Sequence, residues 1–246
     1  VRSPGGGDNL FLVSIVALDA DTGRYIWHYQ QNPREAWDYK ATSNMVAATM
    51  RIGGKRRKVL IQASINGFFF VLDRESGKLV SAEKFGKVTW AERIDLKTGR
   101  PVEAPNIRFE AGEVEIWPSP AGAHNWQAMS FSPQTGMAYI PYMQAGVRYR
   151  FGPTRTGEVH VAGVNIGWAR GGAQDQGSFL VGWDVAAQKQ TWRVPLGSIW
   201  NGGTLATAGG LVFQGTGDGW FSAFGAQDGG RLWRFGAGLG IISAPI

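Results

Sequence analysis

The chain of 246 residues contains no cysteine. That excludes disulfides, thiolate metal sites and a Cys-x-x-Cys-His haem attachment within these residues, and it leaves the redox compartment open. Its three histidines, His28, His124 and His160, are widely spaced and have no companions at ligand spacing, so a zinc centre is not expected. No run of 18 apolar residues occurs, and no charged n-region leads into an apolar h-region, so nothing here is expected to span a membrane or export the chain. There is no Gly-x-Ser-x-Gly elbow. Gly215-Thr216-Gly217-Asp218-Gly219 and Gly236-Ala237-Gly238-Leu239-Gly240 lack a P-loop lysine and read as strand turns. An initiator methionine is missing as well. With Val1-Arg2-Ser3-Pro4 at one end and the apolar Ile241–Ile246 at the other, the expectation is an internal piece of a longer protein, a single domain over 1–246 truncated at both ends.

Charge is modest. Lys and Arg number 25 against 19 acidic residues, a net +6, much of it in Arg51, Lys55, Arg56, Arg57 and Lys58 around Gly53-Gly54. Between two apolar strands this run is a solvated hairpin tip; nucleic acid would need a wider basic face with aromatic platforms.

What the chain has in quantity is glycine and aromatic residues: 36 Gly, 11 Trp and 12% aromatics. Glycine supplies tight turns and aromatics supply strand packing, so the fold class is all-β with many short strands. A repeat organises them. Ala-x-Asp-x-x-Thr-Gly-x-x-x-Trp is complete at Ala17, Asp19, Thr22, Gly23 and Trp27. It returns in decayed form at Asp73–Gly77 without the Trp, at Asp95–Gly99 and Ser132–Gly136 as the turn, at Asp184 through Trp192, and at Ala223 through Trp233. The Asp can accept from the turn amides, the Gly tolerates φ > 0, and the Trp lands in the next strand. One such unit cannot bury its own faces, so repetition points to four-stranded propeller blades, about four of them. Asn66-Gly67 and Asp218-Gly219 mark tight turns. Residues 84–123 and 144–176 are poor in strand pattern and are expected to be long excursions on one face, where such scaffolds carry their sites.

The residues Gly5–Leu10, Ala17–Gly23, Glu35-Ala36-Trp37-Asp38-Tyr39, Asn66–Arg74, His124-Asn125-Trp126 and Trp200-Asn201-Gly202-Gly203-Thr204 closely resemble pyrroloquinoline quinone (PQQ)-dependent alcohol dehydrogenases, especially the quinohaemoprotein type. The likeness runs through nearly the whole chain in order. It implies about half of an eight-bladed quinoprotein propeller, its cofactor near the axis over a calcium ion, in a periplasmic enzyme that oxidises alcohols and passes electrons to a cytochrome c-type acceptor. A haem c domain would lie outside this chain.

The resemblance makes Asp38 the general base, close to calcium, whose main ligands would lie upstream of Val1. It makes Asn125, Trp126 and Trp200 cofactor-facing. Without it, Asp38 reads as a turn cap or an exposed residue, His124 and Asn125 as partners of a loop backbone, and Trp200 as one more core residue. Two departures stand out. Where relatives carry Arg or Lys directly before the Asn-Gly turn, facing the quinone, this chain has Ile65. Where lanthanide-using relatives place a second Asp, it has Lys40, which argues for calcium. Ile65 is also the feature that speaks for the alternative of a non-catalytic propeller serving as an interaction scaffold.

Overall fold

The repeated turns are built as their residues dictate. Asp19 Oδ1 accepts from the Thr22 amide at 2.8 Å and from its hydroxyl at 2.6 Å, and Gly23 takes φ +69. Asp73 repeats this with the Ser76 hydroxyl and amide. In both turns these hydroxyl and amide donors hold the carboxyl below its usual range.

The computed structural model describes residues 6–161, 163–169 and 176–246, and outside one short 3-10 turn at Phe109–Ala111 its regular structure is all strand. β1 (Ser14–Leu18) and β2 (Tyr25–Gln30) form a two-stranded sheet. β3 (Val46–Ile52), β4 (Lys55–Ala63), β5 (Phe68–Asp73) and β6 (Leu79–Lys84) form an antiparallel meander. β7 (Ala91–Ile94) and β8 (Pro101–Glu103) make a hairpin. After β9 (Val114–Ile116) come β10 (Ser130–Ser132) and β11 (Met137–Gln144). The chain departs through β12 (Val147–Arg150), β13 (Val159–Val161) and β14 (Val164–Trp168), and returns as β15 (Gly177–Asp184) and β16 (Lys189–Leu196). The blade order β10-β11-β15-β16 is therefore interrupted in sequence but not in space. β17 (Asn201–Ala206), β18 (Leu211–Thr216), β19 (Trp220–Gly225) and β20 (Arg231–Gly236) complete the last meander. Among the described residues three complete blades thus stand beside the two two-stranded sheets. Among the described residues no helix is long and apolar enough to cross a membrane.

Strand alternation shows how the blades face one another. Phe68, Phe70 and Leu72 of β5 join Ile15 and Tyr29 in one cluster, while Phe69 and Val71 join Ala138, Ile140 and Val181 in a second. In β11 the neighbours Met137 and Tyr139 turn the other way, onto Leu180, Val212 and Phe224. Each central blade is buried on both faces, which is why β5 reads as an unbroken apolar run.

The tryptophans of the repeat lock these layers. A Cβ added at Gly77 would meet the Trp27 ring at 2.5 Å, and one at Gly229 would meet the Trp192 ring at 2.5 Å. Beside them Tyr29 donates to Gly99 O at 2.7 Å. The turn at Gly136 has nothing within 4 Å, and the preceding β6 is the copy that lacks its Trp.

Residues 84–123 and 144–176 depart from expectation. β9 from the first excursion pairs with β12 from the second, and β12, β14 and β13 continue a fourth four-stranded sheet. Strands of three to five residues paired across long loops leave too little alternation to read. Residues 162 and 170–175 of the second excursion lie outside the described set. Arg150 and Glu158 clip this sheet together with side chains 8% and 7% exposed.

Gly77→Ala and Gly229→Ala should each cost about 2 to 4 kcal/mol, combining positive φ with a clash against the docked ring, whereas Gly136→Ala should cost only about 1 kcal/mol for φ. Urea unfolding of the three variants checks the difference. The Arg150 pair holds Glu158 down to about 2 from an ordinary 4.5, with help from the Arg155 amide. A depressed carboxyl stabilises the fold above the ordinary value and loses that contribution as pH falls through the depressed one. Amide exchange in Val164–Trp168 should therefore accelerate between about pH 4.5 and 2, and not above.

Candidate functional site

Residues 31–45 connect β2 to β3 and carry Asp38. The loop is held from beneath by buried amides. Gln31 Nε2 donates to Gln62 Oε1 at 2.7 Å, Gln62 Nε2 donates to Ser43 O at 2.6 Å, and Ser64 Oγ donates to Gln31 Oε1 at 2.9 Å. Asn66 Nδ2 donates to Asn32 Oδ1 at 2.7 Å, and Asn66 Oδ1 takes the Phe68 amide in the turn. At the far end Asn44 exchanges two bonds with the Met129 backbone. An apolar interior makes each of these expensive to leave unpaired, so they fix where the loop runs.

Asp38 sits at φ +67, in the left-handed region, which costs a non-glycine residue about 1 kcal/mol. Its neighbours Trp37 and Tyr39 are 0% and 2% exposed and pack with Trp90 at ring separations of 5.4 and 5.9 Å. Glu35 Oε1 accepts from the amides of both neighbours, and the guanidinium of Arg108 lies 4.4 Å over the Trp37 ring. The Asp38 carboxylate, by contrast, is half exposed and meets Lys40 Nζ at 3.4 Å. It opens on a depression of about 360 Å³ lined by Phe11, Leu12, Glu35, Lys40 and Ala41 among others.

The segment 118–129 packs against this loop. Tyr39 donates to Pro118 O at 2.7 Å. Ala123 N donates to Ile65 O at 3.0 Å, and a Cβ on Gly122 would meet Ile65 Cγ1 at 2.1 Å, so only glycine allows this approach. His124 is fully buried between Ala63 O at 2.8 Å and Gln127 O at 2.6 Å. Burial pushes its ring toward the neutral form against the pull of these two carbonyls. His124 therefore ties loop to strand.

Asn125 and Trp126 follow at the surface. Asn125 spends one amide hydrogen on Ala121 O at 2.9 Å, and Trp126 is 50% exposed. Trp200 is 40% exposed, facing Trp168, Met143 and Ser178 across a separate cavity of about 590 Å³ that also reaches Ala121. Ile65 lies elsewhere: at 1% exposure it belongs to the apolar cluster of Trp37, Tyr39 and Trp90 rather than to an open cavity. The structure thus sets Asn125 near the Ala121 edge of the Trp200 cavity and places Asp38 in a depression of its own.

Sequence reasoning missed the support. Gln31, Gln62 and Tyr149 carry no motif of their own, Glu35 stands in the Glu35–Tyr39 motif without an assigned role, and only the buried geometry shows that they converge on the Asp38 loop.

The donor chemistry suits PQQ, a planar polyanion. Asn125 has a second amide hydrogen without a partner among the described residues, and Trp126 offers an indole face. Calcium asks for six to eight oxygens. Among the described residues no group of three or more His, Cys, Asp or Glu side chains could hold a metal, so Asp38 supplies at most a part of such a sphere.

Comparison with known proteins agrees with the fold. Residues 2–88 match the PQQ model for the β-propeller domain of glucose, ethanol and alcohol dehydrogenases. The whole chain is 52% identical to part of the quinohemoprotein alcohol dehydrogenase ADH IIB of Pseudomonas putida, of which it covers 36%, and 44% identical to part of the 1-butanol dehydrogenase (cytochrome c) of Thauera butanivorans, of which it covers 37%. The crystal structure of the quinohemoprotein alcohol dehydrogenase from Comamonas testosteroni superposes on all of it with TM-score 0.89 at 43% identity, the chain covering 38% of that protein. The chain spans little more than a third of the length of these relatives. In sequence and fold the chain is similar, over its whole length, to a stretch of the β-propeller of PQQ-dependent alcohol dehydrogenases.

Proposed function

We propose that this chain is part of a PQQ- and calcium-dependent dehydrogenase that oxidises primary alcohols to aldehydes, with Asp38 as the general base. The observation that carries the reading is identity of 52% over the full chain to a quinohemoprotein alcohol dehydrogenase. The site chemistry supports it. PQQ, when bound, supplies the acceptor for the hydride. Asp38 offers a half-exposed carboxylate that can take the hydroxyl proton of an alcohol as the carbon–hydrogen bond breaks. Buried bonds from Gln31, Glu35 and Tyr149 hold the loop that carries the carboxylate. Lys40, 3.4 Å away, orients Asp38 Oδ2 and adds positive charge, which disfavours a trivalent ion relative to calcium. Asn125, Trp126 and Trp200 would contact the cofactor, the first by its amide and the others by their rings. Ile65, buried next to Asn66, offers no charge to the reduced cofactor; it fills the seam between the turn and Gly122.

The names of the relatives carry haem and cytochrome c, so the reading extends to a haem c domain outside these residues and a cytochrome c-type electron acceptor. It places the enzyme in the periplasm.

Asp38→Asn in the PQQ- and calcium-loaded protein should lower kcat on short primary alcohols by roughly 10²- to 10⁴-fold while PQQ still binds. An unchanged rate would remove Asp38 as the base. Stripping the metal with a chelator should abolish turnover, and calcium should restore it better than a lanthanide; Lys40→Asp should narrow or reverse that preference in a metal-reconstitution assay.

A further inference from the structure

We propose that Glu35 and Tyr149 are positioning residues that fix the direction of the Asp38 carboxylate. The proposal rests on the reading of Asp38 as the base. Asp38 holds a left-handed backbone that a non-glycine residue leaves unless its surroundings prevent it. Three buried bonds on the flanking residues prevent it. Glu35 Oε1 takes the amides on either side of Asp38, from Trp37 at 2.5 Å and from Tyr39 at 2.9 Å. The Tyr149 hydroxyl donates to Trp37 O at 2.7 Å. Both amides point inward to one oxygen, and the carboxylate between them opens on the depression.

Neither clamp is what packing alone would select. Glu35 is 1% exposed, and a buried carboxylate is costly unless its acceptors are used. Here one oxygen is spent on the two amides that border the base, and such charge-assisted bonds are stronger than neutral ones. Tyr149 comes from β12 in the excursion sheet, 112 residues further along the chain. Phe109 stacks on its ring at 5.3 Å and 18°, which holds the plane of the ring that carries the hydroxyl. This gives the excursion sheet, which belongs to no blade, a task at the Asp38 loop.

Tyr149→Phe removes one hydroxyl and keeps the ring. Glu35→Gln keeps an Oε1 able to accept both amides, whereas Glu35→Ala does not. In the PQQ- and calcium-loaded protein, Tyr149→Phe and Glu35→Ala should lower kcat on a short primary alcohol by roughly five- to tenfold, with KM and PQQ affinity within about twofold. Glu35→Gln should retain most of kcat. Without cofactor, exchange of the Tyr39 amide should accelerate by roughly the same factor in Glu35→Ala and stay near the parent rate in Glu35→Gln. Normal kcat in Tyr149→Phe overturns the proposal. So does a loss that tracks PQQ release or a lower Tm, a Glu35→Gln as impaired as Glu35→Ala, or an unaltered Tyr39 amide in Glu35→Ala. If Glu35→Ala does not fold, Tyr149→Phe decides. Asp38→Asn measured in parallel separates the two claims. If it is inactive while Tyr149→Phe is normal, the positioning role alone falls. If it is fully active, the base and its positioning fall together.

Discussion

A ring laid on a glycine sets the spacing of this molecule. Trp27 on Gly77 and Trp192 on Gly229 bring a strand of one unit against the turn of another, at a distance only a residue without Cβ permits. At Gly77 the turn is stiffened by Asp73, which takes the hydroxyl and amide of Ser76, while the Gly229 turn closes on the Gly225 carbonyl. Sheets held in this way alternate their side chains between two apolar layers, and every other feature is hung on that frame. Where the ring is absent, as before Gly136, apolar packing of Phe69 and Val71 against Ala138, Ile140 and Trp183 joins the blades, together with the two bonds between Asn44 and Met129. The repeat is thus a reinforcement added to the core.

The frame also explains why a strained aspartate can persist. Residues 31–45 leave one sheet and enter the next, so the loop's ends are fixed by blade packing, and its middle is pinned to β4 through Gln31, Gln62 and Ser64. Polar side chains do this better than apolar ones because an amide bond has a direction and an unpaired buried amide has a cost. Trp37, Tyr39 and Trp90 then seal the loop's underside, leaving Asp38 and Lys40 as its polar outer face. A flexible loop with the same sequence would not hold φ +67 at Asp38.

Much of the fold was legible because it lies in short-range signals. The turn motif, Asn66-Gly67, and the apolar β5 run name their own structure. The excursion sheet was not, since β9 and β12 are three and four residues long and lie more than 30 residues apart. Pairing at that separation leaves no periodic trace. The site divides in the same way. Asp38, Asn125, Trp126 and Trp200 stand out through resemblance, and the structure shows each at least partly open to solvent. Ile65 shows the opposite limit: the sequence reveals that a charge is absent there, but only the fold reveals that the side chain packs against Gly122.

That last point bears on why the chain keeps its shape without the cation. A lysine or arginine before the Asn66-Gly67 turn would have to direct its charge out of an apolar cluster that includes Trp37, Tyr39 and Trp90. Isoleucine removes that demand, and Gly122 closes against it with no room for a larger atom. The β4–β5 turn and the 118–125 segment are therefore joined by the apolar contact of Ile65 with Gly122 and a backbone bond from Ala123 to Ile65. Lys40, carried by the same loop, sets its ammonium 3.4 Å from the Asp38 carboxylate. The neighbouring turn, with Ile65 buried in the cluster of Trp37, Tyr39 and Trp90, acts as core.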